Sequence, residues 1–275
     1  MEVSELVGLI ELPYQMREPL TAAGEYVRNH YSEIEPYLNK LSDRNTMEEG
    51  NNELIKVLRE DPGSFKILYC HLLMAVKSHD RYVISGIPDK IFIDTMKCFT
   101  RFAKECLVRN KSMYFDRAFW TYRQVSMNLF RLGELEYEIC SDRGSDVISI
   151  HIPSDADLND EKLDMSFKLA EFFFKSYFPS YRIERYICDS WLLSPALKEL
   201  LGEDSGILRF QSYFEILDFD ESNLDCLEWL FRVPAGTAYE LLPEDTSLQR
   251  SVKQMLLGGR TPGAAYGVLR DRRTK

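Results

Sequence analysis

The sequence predicts an α+β fold, with an all-helical N-terminal half followed by a mixed sheet flanked by helices. Two observations carry that reading. From the first residue to about Met127, apolar side chains recur every three or four positions with almost no alternating run, which is the helical period. After Leu129 the period drops to two, and short alternating runs separated by Gly, Asp and Pro begin. A third observation bounds the class. The chain has 275 residues, 45% hydrophobic and 28% charged, which is the composition of a folded globular protein. The change of period predicts two domains, 1–128 helical and 129–275 sheet-containing.

Short helices are expected over Ser4–Ile10, Thr21–Tyr31 and Glu53–Arg59, with a solvated loop at Ser42–Asn52. Asp61-Pro62-Gly63-Ser64 breaks the chain, and Phe65, Leu68, Tyr69, Leu72, Leu73 and Val76 then mark one face of a helix. Pro88-Asp89 opens another, whose stripe is Phe92, Met96, Phe99, Ala103 and Cys106. A further helix begins near Asp116. Beyond it, Gly133–Ile139 alternates Glu134, Glu136 and Glu138 against Leu135, Tyr137 and Ile139. A turn at 142–146 then leads into the β-branched run Val147–Ile152. Asn159 or Asp160 caps a helix carrying Leu163, Phe167, Ala170, Phe174 and Tyr177, stopped by Pro179. Tyr181–Ser190 reads as the next strand, so strand, helix and strand make a βαβ unit with parallel pairing. A short helix from Pro195 to Leu201, a long strand Ile207–Phe219, helices at Asn223–Phe231 and Ser247–Leu257, and a strand Ala264–Leu269 complete the order.

Lys and Arg number 34 against 44 Asp and Glu, a formal charge of −10, so a nucleic-acid backbone or an anionic membrane would be repelled. The six cysteines are scattered without a Cys-x-x-Cys pair, and the four histidines form no metal-clip spacing, so reduced thiols and no metal are expected. The first twenty residues lack a basic region followed by a small-residue cleavage site, and the longest apolar stretch is about half the roughly 20 residues of a membrane helix. A cytoplasmic, membrane-free protein is the expectation.

Parallel βαβ sheets bind ligands beyond the carboxyl ends of their strands. His151 ends one such strand and Asp189-Ser190-Trp191 the next, so these clusters should be neighbours, with His151 either serving as a base or pairing with Asp189. Glu134, Glu136 and Glu138 face one way along their strand, as solvated charges or as a proton acceptor. On the long strand, Arg209, Gln211, Tyr213 and Glu215 share a face, with Tyr213 a candidate proton donor. Gly258-Gly259-Arg260-Thr261-Pro262-Gly263 reads as a phosphate cradle or a helix C-cap. P-loop, dinucleotide-binding and serine-hydrolase motifs do not occur.

The runs Phe130-Arg131-Leu132-Gly133-Glu134-Leu135-Glu136-Tyr137-Glu138, His151-Ile152-Pro153-Ser154, Cys188-Asp189-Ser190-Trp191-Leu192-Leu193 and Ser205-Gly206-Ile207 with Phe210-Gln211 resemble a family of bacterial acyltransferase-domain proteins. These join a helical N-acyltransferase N-terminal domain to a GNAT-like C-terminal domain. The resemblance implies a mixed sheet whose central parallel strands splay, acyl-CoA or another thioester carrier as co-substrate, and a small-molecule or peptide amine as acceptor, with homodimerisation open. On that reading Glu136 or His151 accepts the amine proton and Tyr213 is the acid. Ile152, Ser154, Asp189, Ser190 and Trp191 line the carrier site. The family's usual phosphate-binding loop carries glycines, whereas residues 154–161 hold none and include Asp155, Asp157, Asp160 and Glu161. That acidity points to the rival expectation, a non-catalytic GNAT-like module that binds a ligand or partner.

Overall fold

The computed structural model describes residues 1–234 and 236–270, and the chain divides into two compact units, 1–132 and 133–275. The first unit holds α1 (Val3–Leu9), α2 (Arg17–Asn29), α3 (Tyr31–Leu41), α4 (Met47–Val57), α5 (Phe65–Ile84), α6 (Asp89–Met96), α7 (Cys98–Asn110), α8 (Ala118–Val125) and the short strand β1 (Leu129–Leu132). The 20-residue α5 is its axis. It packs against α1, α2, α3, α6 and α8 and buries Ile67, Leu68, Cys70, Leu72, Met74 and Ala75. No described helix is long and apolar enough to cross a membrane.

One sequence expectation changes here. The loop foreseen at Ser42–Asn52 is helical from Met47 onward, because Gly50, Asn51 and Leu54 form a buried face of α4 that charge-rich composition conceals. Asn51 is there for a partner. His71 of α5 is fully buried, and its Nε2 donates to Asn51 Oδ1 at 3.0 Å while its Nδ1 accepts from Thr121 Oγ1 at 2.7 Å. Burial pushes the His71 pKa down from 6.5 to about 3, so the ring is neutral at ordinary pH.

The second unit contains β2 (Leu135–Asp142), β3 (Ser145–His151), α9 (Asp160–Tyr177), β4 (Arg185–Ser190), α10 (Gly206–Ser212), β5 (Phe214–Asp220), α11 (Ser247–Leu257) and β6 (Ala264–Leu269). Its strands lie in the order β2-β3-β4-β6-β5. β2 and β3 form the expected hairpin through Arg143 and Gly144, both at positive φ, as a two-residue turn that matches strand twist requires. β3 and β4 are parallel, and the remaining pairs are antiparallel. α9 caps on Asn159, whose side chain accepts from the Glu161 amide.

The register sorts side chains onto two faces. Tyr137, Ile139, Ile148, Ile150, Tyr186 and Cys188 share the face covered by α9, where Ser166 Oγ accepts from the Leu135 amide and meets the Tyr137 hydroxyl at 2.9 Å. Glu136, Glu138, Ser149, His151, Asp189, Tyr266 and Asp218 share the other. The long strand read over Ile207–Phe219 is in fact α10 followed by β5. Ser205 caps α10 by accepting from the Ile207 amide, and the neighbours Phe210 and Gln211 are both buried, which an alternating strand with one wet face would not give. The helix foreseen at Asn223–Phe231 shrinks to one wide turn at Leu227–Phe231. Gly258 ends α11, and Gly259, at φ 76°, turns the chain, so the glycine cluster acts as a helix stop.

Candidate active site

The parallel register between β3 and β4 runs from Val147↔Arg185 to Ser149↔Ile187 and stops there. β3 continues two residues further, to His151, and β4 three, to Ser190, held on its other side by β6 through Ser190↔Ala265. The sheet therefore opens between these strands at their carboxyl ends, with His151 on one lip and Asp189 on the other.

His151 stands directly across the hairpin from Glu136. Its Nε2 lies 2.9 Å from Glu138 Oε2, and both side chains are largely buried. A carboxylate oxygen only accepts, so Glu138 fixes the proton on Nε2 and puts the ring's lone pair on Nδ1. Glu136, at 2% exposure, lies beneath the same face, which removes the solvated-strand reading for it. The expected His151–Asp189 pairing is not formed. His151 bonds within its own hairpin, because the register lays Glu138 two residue pairs away on the same face whereas Asp189 lies across the opening. Burial first, then the charges of Asp225, Asp220 and Asp218, raise the Asp189 pKa. Cys140, further along the Glu138 face, is pushed up to about 11 by burial and by Glu138, so it remains a thiol rather than a nucleophilic thiolate.

Ile152 and Ser154 lie where β3 runs into the loop before α9. There the Ala156 amide donates to Pro153 O and the Asp157 amide to Glu134 Oε2 at 2.9 Å. The acidic loop carries its own counter-charges. Lys162 Nζ sits 2.7 Å from Asp157 and 3.8 Å from Glu134, and Arg209 Nε 3.7 Å from Asp160. Lys162 accordingly holds the Asp157 carboxyl below the usual range. Ser190 Oγ accepts from the Leu192 amide, and Trp191 is buried with Leu197, Cys226, Phe231 and Val252, so its ring serves the core.

Tyr213 ends α10. Its hydroxyl donates to Asp164 Oδ1 of α9 at 3.0 Å, and its ring packs 5.3 Å from that of Phe167. It therefore stands on the α9 side, and the sheet separates it from Glu136, Glu138 and His151. Lys162 is the residue that sequence reasoning left without a role, and Glu138 is one it named only together with Glu134 and Glu136. The signal for Glu138 is its two-residue spacing from Glu136, and for Lys162 its place in the first turn after an acidic loop. Among the described residues no group of His, Cys, Asp and Glu is placed to hold a metal ion.

Residues 1–127 match the N-acyltransferase N-terminal domain and residues 129–269 the GNAT-like C-terminal domain. No curated protein matches the sequence. Among solved structures, an acyltransferase in complex with decanoyl-CoA and teicoplanin superposes with a TM-score of 0.84 at 23% identity, covering 98% of this chain and 87% of that one. A mutant acyltransferase in complex with octanoyl-CoA gives 0.83 at 22%, with the same coverage. At such identities the likeness establishes the fold. Matched over nearly its whole length by these two domains, the chain belongs to the family that joins an N-acyltransferase N-terminal domain to a GNAT-like C-terminal domain.

Proposed function

We propose that the protein transfers an acyl group from acyl-CoA to an amine of a small molecule or peptide, with the Glu138–His151 pair as its proton acceptor. The observation that carries this is the pair's position at the mouth of the β3–β4 opening. The acceptor nitrogen attacks the thioester carbonyl, the C–N bond forms and the C–S bond breaks, releasing CoA as thiolate. His151 Nδ1 takes the nitrogen's proton, and Glu138 stabilises the resulting imidazolium without itself being protonated. Glu136, opposite His151, keeps that face negative. Tyr213, engaged with Asp164 on the other side, takes no step here. The 152–158 turn borders the opening on the carrier's side, and Lys162 and Arg209 offset the carboxylates around it. The solved acyltransferases that share the fold hold decanoyl-CoA, octanoyl-CoA and teicoplanin, which supports both an acyl-CoA donor and such an acceptor. Six cysteines without a disulfide favour a reducing, cytoplasmic setting.

The test is thiol release from decanoyl-CoA against a panel of amines, with mass spectrometry of the product. His151→Asn should lower kcat at least a hundredfold, and Glu138→Gln about ten- to a hundredfold, each with decanoyl-CoA affinity retained. Binding of decanoyl-CoA without turnover over the whole panel, unchanged in His151→Asn, supports instead a ligand-binding module, the reading that the carboxylates of residues 155–161 favour.

A further inference from the structure

The second unit has a cavity of about 450 Å³ away from the Glu138–His151 pair, walled by the turn at 195–198, by α10, by the start of β5 and by Arg270. That volume is within the range of small-molecule sites. Leu193, Leu208, Phe214 and Ile216 supply an apolar wall, and Lys198 and Arg270 supply two cations against one carboxylate, Glu215. A concave site with a positive balance runs against a chain whose net charge is −10. Some cations of this unit sit on acids, Lys162 on Asp157, Arg185 on Asp142, Lys253 on Glu244 and Arg260 on Glu199. Lys198 and Arg270 have no ion pair among the described residues.

The polar groups are also held in place. Arg270 is tied by its amide to Tyr213 O at 2.9 Å and by Nε to Phe214 O at 3.1 Å, so its terminal nitrogens are positioned before any ligand arrives. Gln211 is 6% exposed, and its Nε2 donates to both Leu192 O and Ser194 O at 2.9 Å. Those two bonds hold rigid a side chain that lines the cavity.

We propose that this cavity binds a small organic anion, a carboxylate or phosphate monoester with a short apolar body, its charge on Lys198 and Arg270. The inference does not depend on the acyl-transfer reading. It is tested on the intact protein by titration calorimetry with hexanoate, hexyl phosphate and hexylamine, each with and without saturating decanoyl-CoA. At least one anion should bind saturably, more weakly as salt rises, with no displacement by decanoyl-CoA. Lys198→Ala should weaken it several-fold and Lys198→Ala/Arg270→Ala at least tenfold, the far-UV spectrum being unchanged, while His151→Asn leaves it intact. Which anion binds tells carboxylate from phosphate. Failure of both anions to saturate, equal binding of hexylamine, displacement by decanoyl-CoA, or a double variant that binds like the parent each overturns the proposal.

Discussion

Lowering the pH from 7 to 5 should cost the helical unit about 2 kcal/mol through His71 alone. The ring is fully buried between Asn51 and Thr121, and its pKa falls to about 3 from an ordinary 6.5. The folded-state pKa is depressed, so below pH 6.5 the unfolded chain takes up a proton that the folded one refuses. The stability contributed by the neutral ring is fully present above pH 6.5 and is lost progressively as pH falls toward 3. At pH 5 the two states differ by one and a half pH units of unmatched protonation, and at about 1.36 kcal/mol per unit this gives the figure stated. Against a domain stability of about 5–15 kcal/mol it is a measurable fraction. The assay is urea unfolding followed by far-UV circular dichroism at both pH values, for the parent and for His71→Gln. Carboxylate titrations are common to both proteins and cancel in the difference. The parent's advantage over His71→Gln should shrink by about 2 kcal/mol between pH 7 and pH 5. An advantage constant to within about 0.5 kcal/mol, or a His71 ring resonance that titrates near pH 6.5 in the folded protein, would refute the reasoning.

Other substitutions probe the sheet and the loop. Ser166→Ala removes the hydroxyl that serves both the Leu135 amide and the Tyr137 hydroxyl, and should lower stability by about 1–3 kcal/mol in denaturant melts. Gly263 has φ 69°, and a Cβ there would stand 2.6 Å from Asp220 O, so Gly263→Ala should cost at least about 2 kcal/mol. Gly144→Ala, at φ 83° but facing open space, should cost about 1 kcal/mol, and a reversed order would mean that space rather than backbone strain was misjudged. Lys162→Glu should weaken decanoyl-CoA binding at least tenfold at low salt, read by calorimetry, because it removes the cation held against Asp157 and Glu134.

Much of this architecture was legible because local chemistry and period agreed. α9 has a capping Asn159 and a terminating Pro179, and the hairpin has Arg143-Gly144 between alternating runs, so nothing distant had to override them. α10 was hidden because Leu208-Arg209-Phe210-Gln211 alternates apolar with polar, as a strand does. What makes it helical is the Ser205 cap and the demand of two backbone carbonyls for the Gln211 amide. The site was half legible. Strand ends pointed to His151 and Asp189, but the ring's partner depended on register, and a slip of one residue exchanges every face. Tyr213 failed as a neighbour of His151 for the same reason that α10 was missed.

The position of β6 has a consequence for how the chain is made. It is the last described strand in sequence, yet it lies between β4 and β5 and supplies the pairing of both. During synthesis the helical unit, complete by residue 132, can close before the sheet is made. The second unit must wait, with the edges of β4 and β5 uncovered, until residues 264–269 have left the ribosome. Exposed edges invite pairing with other chains. The interval between translation of β5 and release of β6 is thus the window in which a nascent copy is most prone to aggregate, and a ribosome stalled there would hold a finished helical unit joined to an open sheet.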